Sequence, residues 1–229
     1  MPVTVCWAVK GGSGTTVVAA TLALSHPAHS LLVDLDGELP AVLGLPEPSG
    51  QGVADWLGSD APPDALDDLA VFVDRTTRLI PRGSGPVDLR ATRWGELGEW
   101  LTAHPAAFVD TGTHPPPLDL LDGDVRSLLV TRACYLALRR AVTAPCRPDG
   151  VVLVHEAGRA LRAPDVARAV GAPVVASVSI DPAVARAVDA GLLSTRLPRL
   201  LTRELRRATR ADGRPAIDIA NASPQEMTA

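Results

Sequence analysis

One lysine, three cysteines and an aromatic content of 3% are the scarcities of this 229-residue chain. Cys6, Cys134 and Cys146 are odd in number and lack metal-ligand spacing. That excludes a cysteine-ligated cluster and reads as buried or free thiols in a reducing compartment. So few aromatic rings leave no platform for stacking single-stranded bases. With no secretory signal and no long apolar run, the chain is expected in the cytoplasm. A net charge of −4 gives no bulk push toward nucleic acid or an anionic membrane. What is present is 46% hydrophobic content, enough at this length for one full α/β core and a tight fit for two.

The lone lysine, Lys10, opens the stretch Lys-Gly-Gly-Ser-Gly-Thr-Thr, residues 10–16. Residues 3–9 before it are apolar and of strand length. Residues 17–25 after it are rich in Ala and Leu, hold neither Gly nor Pro, and predict a helix. Strand, glycine-rich turn and helix are the setting of a phosphate-binding loop. The glycines let successive backbone N–H groups curl into an anion nest, and the helix N-terminus adds its positive dipole end. Gly11, Gly12, Ser13, Gly14, Thr15 and Thr16 are the expected nucleotide contacts, with the Thr16 hydroxyl a Mg²⁺ ligand.

The general pattern ends Gly-Lys-Ser/Thr, its lysine reaching the β- and γ-phosphates. Here Thr15 holds that place, and a neutral hydroxyl cannot supply the charge. Losing one member of a desolvated charge pair costs about 2–5 kcal/mol, roughly 30- to several-thousand-fold in binding or rate. In a chain that otherwise uses arginine, a lysine at the mouth of this loop argues for a compact, flexible point charge aimed at phosphate.

Two acidic strand ends accompany the loop. Residues 30–36 (Ser-Leu-Leu-Val-Asp-Leu-Asp) and 106–112 (Ala-Ala-Phe-Val-Asp-Thr-Gly) are apolar runs that reach Asp34, Asp36 and Asp110. Carboxylates at the carboxyl end of a parallel strand border the crevice where α/β sheets bind ligands. Asp110, followed by a small residue and Gly112, suits a Walker B site. There the carboxylate holds a Mg²⁺ water, and the glycine frees a backbone N–H to sense the γ-phosphate.

Lys-Gly-Gly-x-Gly-x-Thr resembles the deviant Walker A loop of the MinD/ParA ATPases, whose relatives include the TadZ/CpaE pilus-localisation proteins. With three ordered motifs, the likeness covers roughly residues 1–190. It implies that Lys10 matches the family's signature lysine, which contacts phosphate in an ATP-sandwich dimer, in cis or from the partner subunit. It further implies that Asp36 orients the attacking water and that Asp34 supports the Mg²⁺ shell. Residues 37–57, with Leu43-Gly44-Leu45, are similar to the family's switch I. Leu79-Ile80-Pro81-Arg82-Gly83 is similar to the turn after its third sheet strand. Ile180-Asp181-Pro182-Ala183-Val184, with Ala187, Val188 and Gly191, resembles the border of the base pocket, making Asp181 and Pro182 expected nucleotide contacts. Where family members often place Asn to recognise adenine, His155-Glu156 stand instead. Bacterial tyrosine kinases of the same superfamily carry a C-terminal tyrosine cluster; Tyr135 is the sole tyrosine here, which excludes them.

Elsewhere, residues 58–68 read as an acidic, Pro-rich surface excursion, and 71–73 and 78–80 as short strands. Gly83 and Gly85 mark a turn, and 90–103 form an amphipathic helix. Strands follow at 127–130, 150–155 and 173–178, with helices at 134–142 and 163–170. Trp56, Trp94 and Trp100 are expected in packing, and His114 exposed. Residues 192–211 are Leu- and Arg-rich and read as a terminal helix packed on the domain; contact with DNA or a membrane surface through 196–214 is the other reading. The whole predicts one P-loop NTPase domain over 1–211 and a polar, disordered tail over 212–229. Its fold is expected to be α/β and doubly wound, a mostly parallel sheet with helices on both faces. The expected activity is that of an ATP- and Mg²⁺-binding switch, dimeric with nucleotide, slow in hydrolysis and serving a protein partner. The alternative is a non-hydrolysing scaffold.

Overall fold

A strand buried on both faces needs no polar alternation, and β1 (Val3–Trp7), Val-Thr-Val-Cys-Trp, is buried at all five positions. The computed structural model describes residues 3–206 and Ala208. In chain order the other strands are β2 (Ser30–Asp34), β3 (Val71–Phe72), β4 (Thr77–Ile80), β5 (Ala107–Asp110), β6 (Val125–Arg132), β7 (Gly150–His155) and β8 (Val174–Ser179). They form one sheet in the order β3-β4-β2-β5-β1-β6-β7-β8. Every pairing is parallel except the edge pair β3–β4.

The helices are α1 (Thr15–Leu24), α2 (Leu39–Leu43), α3 (Val53–Leu57), α4 (Ala65–Asp68), α5 (Trp94–Thr102), α6 (Tyr135–Val142), α7 (Ala163–Val170), α8 (Pro182–Asp189) and α9 (Arg199–Leu205). Alternate strand residues go to opposite faces. Cys6, Leu32, Phe108 and Leu128 meet Val18 and Leu22 of α1, Val42 of α2 and Leu201 of α9. Val5, Val33 and Val109 meet Trp56 of α3 and Leu97 of α5, and Leu129 and Leu153 meet Leu138 of α6 and Val166 of α7. The doubly wound α/β architecture predicted from the sequence is therefore the one observed. From β1 the chain crosses to β2 on one side, while β6 lies on the other. This reversal opens a crevice at the carboxyl end of β1, where the glycine loop emerges.

Several boundaries differ from the sequence reading. The helix expected over 90–103 begins only at Trp94, and β6 extends well beyond 127–130. The excursion at 58–68 is not wholly solvated: it contains α4, whose Leu66 is fully buried. Its anchor is Arg93, whose guanidinium donates to the carbonyls of Trp56, Ser59 and Ala61 at 2.7–3.0 Å and lies 3.8 Å over the Trp56 ring. Arg93→Ala would orphan three carbonyls at once. A loss of about 2–3 kcal/mol is expected, read as a lower urea midpoint.

Trp56 and Trp94 are buried packing residues, as predicted. Of the Leu- and Arg-rich stretch, the helix α9 buries Leu201 and Leu205 and leaves Arg199 and Arg203 exposed. Arg207, Arg210, Arg214 and the tail over 212–229 lie outside the described residues. Among the described residues no helix is long and apolar enough to cross a membrane.

Candidate functional site

Two glycines with positive φ shape the loop between β1 and α1, Gly12 at 71° and Gly14 at 87°. Gly14 caps α1 in the left-handed conformation, no side chain caps the helix, and no acid stands in its first turn. The leading N–H groups and the positive end of the dipole thus have no side-chain cap and no acid within the first turn. Ser13 braces the loop, its Oγ donating to the Lys10 carbonyl at 2.7 Å. The Lys10 ammonium lies folded along its own loop, donating to the Gly11 carbonyl at 3.4 Å. Thr15 is buried and Thr16 half-buried. Residues 10–17 with Asp36, Glu38, Val42, Gly112 and Thr113 line a cleft of about 340 Å³.

Strand register sets Asp110 between Asp34 and Cys6. Asp34 gives both oxygens to backbone. Its Oδ1 accepts from the Asp36 and Gly37 N–H groups at 3.1 and 2.7 Å, and its Oδ2 from Leu39 at 3.2 Å. Burial pushes its carboxyl up to about 6 despite those three bonds. The residue therefore holds the Asp36 loop and the start of α2, which suits a positioning role better than a place in a metal shell.

Asp110 is differently placed. Its Oδ1 accepts the Gly112 N–H at 3.0 Å, while its buried Oδ2 has no hydrogen-bond partner. Burial pushes this carboxyl up to about 7; the Gly112 N–H and the Thr16 hydroxyl oppose the rise, and Asp34 and Asp36 add to it. A buried carboxylate oxygen without a partner is costly, and a hydrated divalent cation supplies what it lacks. Thr16 from the loop and Asp110 from β5 thus fit Mg²⁺. Among the described residues no three His, Cys, Asp or Glu side chains form a metal cage, so such an ion would draw its remaining ligands from phosphate and water. Burial, then the Asp110 charge, also pushes the Cys6 thiol far above its ordinary range and leaves it an inert core residue.

Asp36 is half-buried at the cleft wall. Gly112, at φ 59°, packs so tightly on it that a Cβ there would displace the Asp36 carboxyl, and the left-handed backbone favours glycine as well. The backbone carbonyl of Asp36 accepts from Arg82 Nη1 at 2.9 Å. Sequence reasoning took Arg82 only as part of a turn. Its signal was its place two residues after β4, the neighbour of the strand that carries Asp34.

The structure brings the loop, Asp36 and Gly112 together along the cleft and pairs Asp34 with Asp110 at adjoining strand ends; Asp181 and Pro182 do not line the cleft. Asp181 caps α8, its Oδ1 accepting the Ala183 N–H at 2.7 Å, and Pro182 is exposed. Gly191 packs against Gly44 at the end of α2. His114 is exposed, as expected.

A glycine loop at the switch point of a parallel sheet, flanked by acidic ends of neighbouring strands, defines a P-loop NTPase fold. No protein-family model matches the sequence, and no curated protein matches it either. Solved structures do match. The MinD protein of Pyrococcus horikoshii, complexed with Mg-ADP, superposes with a TM-score of 0.71 at 18% identity over 93% of this chain and 97% of that one. MinD in the MinC:MinD complex of Aquifex aeolicus gives 0.72 at 16% over 100% of both. A ParA family ATPase from Chlorobium tepidum gives 0.68 at 17% over 89% and 96%. The chain has the fold of the MinD/ParA ATPases.

Proposed function

We propose that this chain is an ATP-binding switch of the MinD/ParA kind with a deviant Walker A loop. The observation that carries the reading is the unpartnered, buried Oδ2 of Asp110 beside Thr16, which itself lines the cleft together with the start of α1, a helix without a side-chain cap. The Mg-ADP held by the Pyrococcus neighbour supports it.

When bound, Mg²⁺-ATP supplies the phosphoryl group and the Lewis acid. Residues 11–16 would cradle the phosphates, and Thr16 and Asp110 would hold the metal. Asp36 would orient a water, and the Gly112 N–H would sense the terminal phosphate by leaving its bond to Asp110 Oδ1. Lys10 is half-exposed at the rim, where it can turn to its own phosphates or to those of a second copy. Nucleotide-dependent dimerisation and a protein partner complete the proposal, as the Aquifex neighbour's complex with MinC suggests. The work of such a switch is to position cellular machinery, whether a division site, segregating DNA or an assembling pilus. Thr15 makes hydrolysis slow. The same residue supports a second reading, a scaffold that does not turn ATP over, since the buried site for a lysine is filled by a neutral hydroxyl.

Equilibrium binding of Mg²⁺-ATP to wild type, Lys10→Ala and Thr15→Lys is the test. Lys10→Ala is expected to weaken binding roughly 30-fold or more, and Thr15→Lys to raise turnover. Absence of wild-type binding at millimolar ATP would end the switch reading and leave the scaffold.

A further inference from the structure

The cleft is short of positive charge for the ligand proposed above. Lys10 is the sole cationic side chain among its lining residues, and Asp36 and Glu38 line it too. A nucleotide triphosphate brings several negative charges into this setting. The general P-loop meets them with a lysine where Thr15 stands.

Arg82 reaches the cleft wall from behind. It lines a second cavity, about 240 Å³, which shares Asp36 with the phosphate cleft. Its guanidinium is held by the single hydrogen bond to the Asp36 carbonyl and lies flat on Gly37, where an added Cβ would sit 2.8 Å from Cζ. Its Nε is buried without an acceptor, and no carboxylate pairs with it among the described residues. A guanidinium with an unfilled donor and no counter-ion, one residue from the phosphate cleft, is a charge without an assigned partner. Its planar fork suits phosphate oxygens, and its long stem lets the head swing once the Asp36 carbonyl is released. The main-chain carbonyl of Arg82 accepts the Ala54 N–H at 3.0 Å, so the backbone stays fixed while the side chain moves.

We propose that Arg82 supplies the phosphate-neutralising charge that Thr15 withholds. This rests on the nucleotide-binding reading and names the residue that completes it. Arg140, whose Nη1 lies 3.4 Å from the Val9 carbonyl on the other side of the loop, is the competing candidate and serves as the comparison.

The test is equilibrium titration with Mg²⁺-ATP and Mg²⁺-ADP of wild type, Arg82→Gln, Thr15→Lys, Arg140→Gln and the Thr15→Lys/Arg82→Gln double variant. Glutamine removes the charge and, being two atoms shorter, also the bond to the Asp36 carbonyl, so circular dichroism melts check the fold and the lysine rescue separates charge from structure. Should Arg82→Gln not fold, Arg82→Lys, which keeps the charge but not the planar fork, replaces it in the cycle, with a loss of less than about tenfold as the expected result. Arg82→Gln is expected to weaken Mg²⁺-ATP roughly 30-fold or more, and Mg²⁺-ADP less. The double variant should recover to within about threefold of Thr15→Lys, because one charge replaces the other. A merely structural Arg82 would not be rescued by a lysine in the loop. The proposal is overturned if Arg82→Gln binds like wild type, if the double variant stays as weak as Arg82→Gln, if Arg82→Lys loses roughly 30-fold or more, or if Arg140→Gln carries the loss instead. Failure of wild type to bind at all would instead strike the nucleotide-binding reading.

Discussion

Asp110→Asn is expected to make the nucleotide-free protein more stable and its metal response weaker at the same time. The folded-state carboxyls of Asp110 and Asp34 sit at about 7 and about 6, above the ordinary value of 3.8. A raised carboxyl binds its proton more tightly in the folded chain than in the unfolded one. The stability from these groups is therefore full below about pH 4 and lost as pH rises through 6 and 7. Asparagine keeps an oxygen for the Gly112 N–H and never ionises. At pH 8 a gain of about 2 kcal/mol is expected, roughly 4–8 °C in Tm for a chain of this size. At pH 4 the gain should vanish. The stabilisation that Mg²⁺ gives the ATP complex should fall roughly tenfold in binding terms. Thermal melts at the two pH values, with and without Mg²⁺, decide it. A variant no more stable than wild type at pH 8 would mean that Asp110 is already satisfied in solution.

The second large effect is expected at Gly44, which ends α2 at φ 74°. A Cβ there would overlap the Gly191 carbonyl oxygen, and Gly191, itself at φ 60°, would bring its own Cβ to 3.1 Å from the Gly44 Cα. Both neighbours are backbone, so no rotamer change relieves the clash. Beside it the Ser194 Oγ donates to the Leu43 carbonyl at 2.7 Å, tying the segments further. Gly44→Ala adds the left-handed strain to overpacking, a loss of about 3 kcal/mol or more, hence a Tm roughly 6–12 °C lower. Chemical denaturation of the variant measures it. A shift under about 1 kcal/mol would mean that α2 and α8 part easily.

These two residues show what the sequence discloses and what it conceals. Asp110 was legible because its chemistry sits at the end of a strand, and an apolar run ending in Asp-Thr-Gly marks both the strand and its exit. The loop at 10–16 was legible for the same reason, since glycine spacing and an adjoining helix are local. Gly44 and Gly191 each stood in a motif, yet their interlock joins segments far apart in the chain, and no local pattern encodes a backbone contact across that separation. Composition and spacing alone do not separate Asp34 from Asp36; the family resemblance does, and it gives Asp34 the metal shell. Only the turn after β2 shows one feeding three backbone amides and the other facing the cleft. Arg82 and Arg93 were hidden by abundance, because among so many arginines nothing local separates those that bind carbonyls from those that meet water.

That abundance has a practical converse in the folded loop. An acylating reagent at mildly alkaline pH finds one side-chain amine in the entire 229-residue chain, and it stands at the rim of the cleft. Acylation of Lys10, read on the peptide that carries it and so apart from any α-amine, would therefore gauge occupancy: an amine shielded by bound phosphate resists modification, and an empty cleft yields it.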